Sequence, residues 1–248
     1  MNEQELIELF SSKARNFNLY LDNEQLEKFR EYLNLLMDFN SRINLVGSAE
    51  PETVVLKHFL DSLAIGLFTK EIDFNSNLNL IDIGIGGGFP GIPIMLVFPN
   101  CRLCAVDSVN KKLDFIRVLA EKLDISNRVE IITERAEDLA KNPMKREFFD
   151  IALIRAVSKM NVNAEYCLPF VKQGGYFISY KAKNIQNELE EANTAISVLG
   201  GKVISTVNYT LAEEEERNLV LIKKIKPTPE KYPRKTGMPA KKPLINSK

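Results

Sequence analysis

Tryptophan is absent from this chain of 248 residues, histidine occurs once and cysteine three times. Cys101, Cys104 and Cys167 make neither a disulfide framework nor a zinc site. Cys101 and Cys104 have C-x-x-C spacing, but the pair straddles a predicted strand, and no second pair or histidine cluster completes a ligand set. Buried structural thiols are the reading. Long apolar runs are lacking too: none approaches the roughly 18 residues that a membrane-spanning helix requires. The polar start Met1-Asn2-Glu3-Gln4-Glu5 is no signal peptide. A cytoplasmic protein with no membrane partner and no bound metal is expected. Net charge is also missing, since 33 basic residues balance 33 acidic ones. That balance conceals a division: residues 223–248 hold nine Lys or Arg against one acid, Glu230, a formal +8, which leaves residues 1–222 at −8.

What is present centres on Leu80-Ile81-Asp82-Ile83-Gly84-Ile85-Gly86-Gly87-Gly88-Phe89-Pro90-Gly91. The apolar run Leu78 to Ile83 reads as a buried strand, and the glycines after it let backbone amides, Gly86 among them, approach a ligand closely. Asp82 stands at the end of that strand. A second run, Arg102 to Val106, ends in Asp107. Two carboxylates at the ends of adjacent parallel strands are expected to face the crevice where open α/β sheets bind ligands. The ligand is then nucleoside-like, with ribose hydroxyls donating to Asp107. A dinucleotide fingerprint needs a small residue three positions after Gly86, where Phe89 and then Pro90 stand. A pocket keeping Asp82 beside the loop suits a cation better than a diphosphate, which favours S-adenosylmethionine, with its ammonium and sulfonium groups, over NAD.

Length and composition allow one large α/β domain, or a medium one with an appendage. Residues 1–75 read as a helical extension packed on the sheet. Leu6, Leu9, Phe10 and Phe17 lie near one helical face and Leu26, Phe29, Leu33, Leu36 and Met37 outline another. Asp22 and Gln25 are spaced as a capping box, and a third helix starts at Pro51. Residues 76–225 alternate strand and helix. Strands are predicted at Val129 to Thr133, Phe149 to Ile154, Gly175 to Tyr180, Val203 to Asn208 and Leu219 to Ile222. Helices are predicted at Ile92 to Phe98, Lys111 to Leu123 and Ile185 to Leu199, the last closed by Gly200-Gly201. Seven strands suit a doubly wound α/β domain, and the acidic loop before the last strand implies an antiparallel final hairpin, as in class I methyltransferases. Residues 226–248 form a basic tail in which five prolines rule out a helix. Such a tail can lie along a phosphate backbone or be a solvated disordered end.

The glycine loop with Phe89-Pro90-Gly91, the pair Asp107-Ser108, Glu134-Arg135-Ala136-Glu137, Arg155-Ala156, Lys57-His58-Phe59-Leu60-Asp61-Ser62 and the tail Lys231-Tyr232-Pro233-Arg234-Lys235 together resemble the bacterial 16S ribosomal RNA guanine-N7 methyltransferase family, once called glucose-inhibited division protein B. The resemblance runs nearly end to end. It implies a class I S-adenosylmethionine-dependent methyltransferase with a Rossmann-like seven-stranded sheet, acting on 16S rRNA, the 30S subunit or its assembly intermediates. Gly84 and Phe89 would line the donor site, Asp107, Ser108 and Val109 would hold the ribose and its surroundings, and Ala136 with Glu137 would flank the adenine. Arg155 would stand near the methyl-transfer locus and the donor. Lys231, Arg234, Lys235, Lys241 and Lys242 are the expected RNA contacts. One departure is Gly87-Gly88, where family members often carry a different small residue first.

The residues themselves narrow the chemistry. Around Arg155 there is no Asn/Asp-Pro-Pro-aromatic motif to grip an exocyclic amine, and no cysteine to serve as a nucleophile for 5-methylcytosine formation. Guanine N7 has an exposed lone pair and needs no base, so alignment can supply most of the catalysis. Arg155 either positions the guanine or a phosphate, or forms a salt bridge to Asp82 or Glu137. His58 is a candidate for alignment, a binding or hinge role being more economical than general base. A small-molecule methyltransferase, an RNA-binding or assembly protein without the reaction, and a nicotinamide oxidoreductase remain as alternatives. The chain is large enough to be stable as a monomer.

Overall fold

Two capping boxes launch the chain. In the computed structural model, which describes residues 1–48, 50–183, 185–211 and 215–245, the Asn2 side chain accepts from the Glu5 amide while Glu5 accepts from the Asn2 amide, opening α1 (Glu3–Ala14). Asp22 and Gln25 do the same for α2 (Asn23–Asn40), as their spacing predicts. Helix α1 buries Leu6, Ile7, Phe10 and Ala14, and α2 buries Phe29, Tyr32, Leu33 and Leu36. Met37 lies at the exposed margin of that stripe. The segment begun by Pro51 is one continuous rod of mixed pitch: α3 (Pro51–Thr53), a π-helical stretch Val54–Phe59, α4 (Leu60–Leu63) and a 3-10 stretch Ala64–Phe68. The wider pitch falls on the stretch that carries His58, in keeping with the frequent placement of π-turns at functional sites.

The sheet follows: β1 (Asn79–Ile83), α5 (Gly91–Val97), β2 (Arg102–Asp107), α6 (Asn110–Lys122), β3 (Val129–Thr133), α7 (Ala136–Leu139), β4 (Phe149–Arg155), α8 (Met160–Cys167), β5 (Val171–Ala182), α9 (Gln186–Val198), β6 (Gly201–Thr210), β7 (Glu216–Lys224) and, in the tail, α10 (Met238–Lys241). Strand order is β3-β2-β1-β4-β5-β7-β6. The first five strands are parallel, and β7 runs antiparallel between β5 and β6. The predicted final hairpin is therefore present, with its connection at 212–214 outside the described residues. Chain order reverses between β1 and β4, which places a crevice at their carboxyl ends.

Strand residues alternate between two cores, as a period of two requires. Leu80, Leu103, Ile151, Leu153, Ile178, Leu219 and Leu221 face the core shared with α1, α2, α5 and α6. Ile81, Cys104, Ala152, Ile154, Phe177, Val220 and Ile222 face the core under α8 and α9. The N-terminal helices thus thicken one face of the sheet. Their aromatic centre is Phe59, whose ring lies 5.1 Å from Phe29, 4.9 Å from Tyr32 and 5.9 Å from Phe89. All three cysteines are free and buried, and burial pushes Cys101 up to about 11 and Cys104 up to about 12, so the thiols are structural. No helix among the described residues is long and apolar enough to cross a membrane.

Two expectations need correction. The prolines of the tail do not rule out a helix, because Pro239 falls in the first turn of α10, where no amide is required of it. Nor is the tail detached. The Lys224 ammonium is fully buried and donates to Leu168 O (2.6 Å) and Thr228 Oγ1 (2.7 Å), with Glu147 2.9 Å away. Arg146 donates to the carbonyls of Thr228 and Tyr232, both at 2.8 Å. Since Phe59 is 0% exposed at the junction of extension and sheet, Phe59→Ala is expected to cost about 3–5 kcal/mol. Urea unfolding would check it; a loss under about 1 kcal/mol would mean the junction collapses to fill the space.

Candidate active site

The glycine loop after β1 is shaped from beneath. Gly88 has φ +103°, and a Cβ there would stand 2.1 Å from the Tyr32 hydroxyl, so only glycine fits. That hydroxyl donates to Gly87 O at 2.5 Å. From above, the Asp107 carboxylate braces the loop: Gly86 donates to Oδ2 (3.1 Å) and Val109 to Oδ1 (2.9 Å). The loop amides of Gly84 and Ile85 both donate to Val106 O.

Over the ends of β1, β2 and β4 lies a cavity of about 300 Å³. Gly84, Asp107, Ser108, Ala136 and Glu137 meet in its lining, joined by Tyr166 of α8, Val157, Ser158 and Ala240 of the tail, none of which the local sequence pattern singles out. Gly86 and Val109 reach it only through their bonds to Asp107. Asp82 does not face the crevice as expected. It is 0% exposed beneath the loop, where Oδ2 accepts from the Gly91 amide (2.8 Å) and Oδ1 has no partner among the described residues. Burial raises its carboxyl to about 7 against the Gly91 hydrogen bond and the nearby Arg155 charge. Phe89 is likewise not in the wall; its ring stacks on Tyr32 (5.5 Å) and carries the Arg155 guanidinium 5.1 Å from its centroid.

A second cavity of about 320 Å³ adjoins the first through consecutive residues after β4: Arg155 and Ala156 line the second, Val157 and Ser158 the first. Its other walls include Lys57, His58 and Asp61 of the N-terminal rod, Tyr180, Lys181 and Arg217. Arg155 pairs with neither Asp82 nor Glu137. Its Nη1 donates to Asp61 Oδ2 (3.0 Å) and His58 O (3.3 Å), and Nη2 lies 2.6 Å from His58 Nδ1. Asp61, almost fully buried, also accepts from the Tyr209 hydroxyl; burial lifts its carboxyl above the usual range while Arg155 pulls it back. Burial, then the charges of Arg155 and Arg217, lower His58 to about 4. The imidazole is therefore neutral near pH 7. A guanidinium only donates, so Nδ1 accepts and the ring proton resides on Nε2, which has no hydrogen-bond partner among the described residues.

A seven-stranded sheet with β7 antiparallel between β5 and β6, a glycine loop after β1 and an acid closing β2 define the class I S-adenosylmethionine-dependent methyltransferase fold. The same fold is found in an O-methyltransferase from Bacillus cereus solved with SAH (TM-score 0.56, 15% identity, covering 88% of this chain and 100% of that one). It recurs in a geranyl diphosphate methyltransferase solved with SAM (TM-score 0.54, 12% identity, 73% of this chain and 92% of that one). Within that class, residues 25–220 match the model of the GidB family, rRNA small subunit methyltransferase G, and the chain belongs to that family. It is 42% identical over 245 residues to the ribosomal RNA small subunit methyltransferase G of Lactobacillus acidophilus, covering 98% of this chain and 100% of that protein. It is 41% identical over 247 residues to the protein of that name from Acetivibrio thermocellus, again covering 98% and 100%.

Asp82 and His58 carry opposite pH linkages. Asp82, raised from 3.8 to about 7, holds a proton in the folded state that the unfolded chain releases, so its contribution to stability falls as pH rises through that window. His58, lowered from 6.5 to about 4, is neutral when folded, so its contribution falls as pH drops through its window. Asp82→Asn leaves only the second. Relative to the parent, the variant is expected to gain stability between about pH 5 and pH 7 in urea titrations; a parallel pH dependence would show that Asp82 is ionised throughout.

Proposed function

We propose that this chain transfers a methyl group from S-adenosylmethionine to N7 of a specific guanine in the 16S ribosomal RNA of the small ribosomal subunit, in the cytoplasm. The observation that carries the reading is the pair of adjoining cavities, one lined by Gly84 and the strand-end carboxylate Asp107, the other rimmed by cations around a neutral imidazole. The donor brings an electrophilic methyl group on a sulfonium. The first cavity fits its groups: Asp107 lines it with a carboxylate that can accept from ribose hydroxyls, and Ala136 and Glu137 suit the adenine edge. Both cavities belong to one chain, which supports action as a monomer.

In the second cavity Arg155 is held by Asp61 and His58, so its planar fork is already oriented for O6 or a phosphate oxygen. Neutral His58 offers Nε2–H. Guanine presents O6 as an acceptor next to N7, whereas adenine presents an amine donor there, so a fixed donor selects guanine. Because N7 carries a free lone pair, no group in the cavity has to remove a proton before attack; the side chains align the base and exclude water. Lys231, Lys235, Lys241 and Lys242 are exposed on the folded tail and suit phosphate contacts, while Arg234 is occupied by Glu165 and serves the fold.

The direct test is transfer of labelled methyl to small subunits from cells lacking the protein, with the base located by cleavage specific to 7-methylguanine. One labelled guanine, abolished by Asp107→Ala, is expected; label absent from RNA despite donor binding would point to a small-molecule acceptor. Arg155→Lys should lower kcat by about 10²-fold through misalignment while changing donor affinity little. His58→Ala should lose about tenfold or more on guanine, and lose little further when the target is 2-aminopurine, which keeps N7 but lacks O6. Equal losses on both bases would remove the O6 contact. Replacing the four tail lysines should flatten the salt dependence of RNA binding by about 0.7–0.9 in log–log slope for each phosphate no longer neutralised.

A further inference from the structure

Glu165 lies on α8 with 0% exposure, and no cation of the sheet domain pairs with it among the described residues. Its partner comes from the tail. Arg234 donates its amide to Oε1 (2.8 Å), Nε to Oε1 (2.9 Å) and Nη2 to Oε2 (2.6 Å), a fork-to-carboxylate geometry. The same guanidinium donates Nη1 to Lys242 O (2.7 Å), which ties the far end of the tail back to its start. Between these two points the Thr236 hydroxyl donates to Asp138 (2.6 Å) and the Gly237 amide donates to Glu137 Oε1 (2.9 Å). The loop so closed contains α10, whose Ala240 lines the first cavity beside Tyr166, the residue following Glu165.

From this we infer that residues 234–242 are a fixed wall of the donor cavity, and that Glu165 is a positioning residue which holds that wall through Arg234. The inference rests on the reading of that cavity as the donor's. A buried carboxylate strongly disfavours remaining unpaired, so the native state recruits the tail's one guanidinium in preference to leaving it as a mobile arm. Glu137 is thereby shared: Oε1 is held by the tail and Oε2 is left for a ligand. The exposed tail lysines then sit at a set distance from the donor, on the outside of the wall they belong to.

Donor affinity separates this role from a purely structural or RNA-binding one. Ala240→Trp, at an exposed position, should leave the thermal midpoint unchanged and weaken binding of S-adenosylmethionine by about tenfold or more in calorimetric titration. Arg234→Lys, which keeps the charge and loses the fork, should raise KM for the donor by about tenfold with kcat and the KM for the ribosomal subunit within about twofold, the pattern of lost uniform binding. Lys241→Ala with Lys242→Ala should show the reverse split, raising KM for the subunit and leaving donor affinity alone. Wild-type donor affinity in Ala240→Trp, or in a cooperatively unfolding chain ended after Pro233, would overturn the inference. If the intact chain bound no S-adenosylmethionine at all, the reading of the cavity itself would fall.

Discussion

Arg155 is the constraint on which the rest of the architecture turns. It stands at the end of β4, largely withdrawn from solvent, and its guanidinium is divided between Asp61 Oδ2 and the backbone and ring of His58, both from the N-terminal rod. Breaking a buried pair of this kind is strongly destabilising because the surviving charge is left without compensation. Two separately encoded parts of the chain, the helical extension and the sheet, are thereby held in one relative placement. The aromatic face of Phe89 supports the cation from the loop side, so the loop, β4 and the rod meet at a single positive group.

That one charge also sets the protonation of its surroundings. It lowers His58, and it opposes the burial that lifts Asp61 and Asp82. An imidazole kept neutral beside a guanidinium is a directed donor and a poor general base near neutral pH. Such a cavity is suited to a nucleophile that arrives already deprotonated. The left-handed backbone of Ala156 (φ +56°) turns the chain between the two cavities at the residue following Arg155. Uncommon backbone geometry at a site of this kind is in keeping with a constraint imposed by function.

The tail illustrates how composition can mislead about placement. Nine cations in residues 223–248 suggest a chain end that either follows a phosphate backbone or is solvated. Yet Lys224 and Arg234 answer buried or partly buried acceptors of the sheet domain, Glu147 and Glu165, and only some of the lysines are left to solvent. Charge counted along a chain cannot distinguish a cation that neutralises an interior carboxylate from one that meets a phosphate.

By itself the sequence determined the strands, the loop and the caps, because these are local: period-two apolar runs, glycines where φ must be positive, and Asp22 three residues from Gln25. Asp107 was legible as the acid closing a strand, whereas Ser108, Gly84, Ala136 and Glu137 were named with it through the family resemblance; the structure brings all five to one cavity at the carboxyl ends of the strands. Helix α8 escaped notice because nearly every one of its residues is buried, so it shows no amphipathic period. Glu165 and Tyr166 were hidden with it. Only the tertiary structure decided that Arg155 meets Asp61 across 94 residues, that Asp82 lies under the loop and away from the crevice, and that Arg234 closes on Glu165 across 69 residues. Those pairings follow from desolvation, which acts on a charge only after folding has removed its water and has settled which partner is within reach.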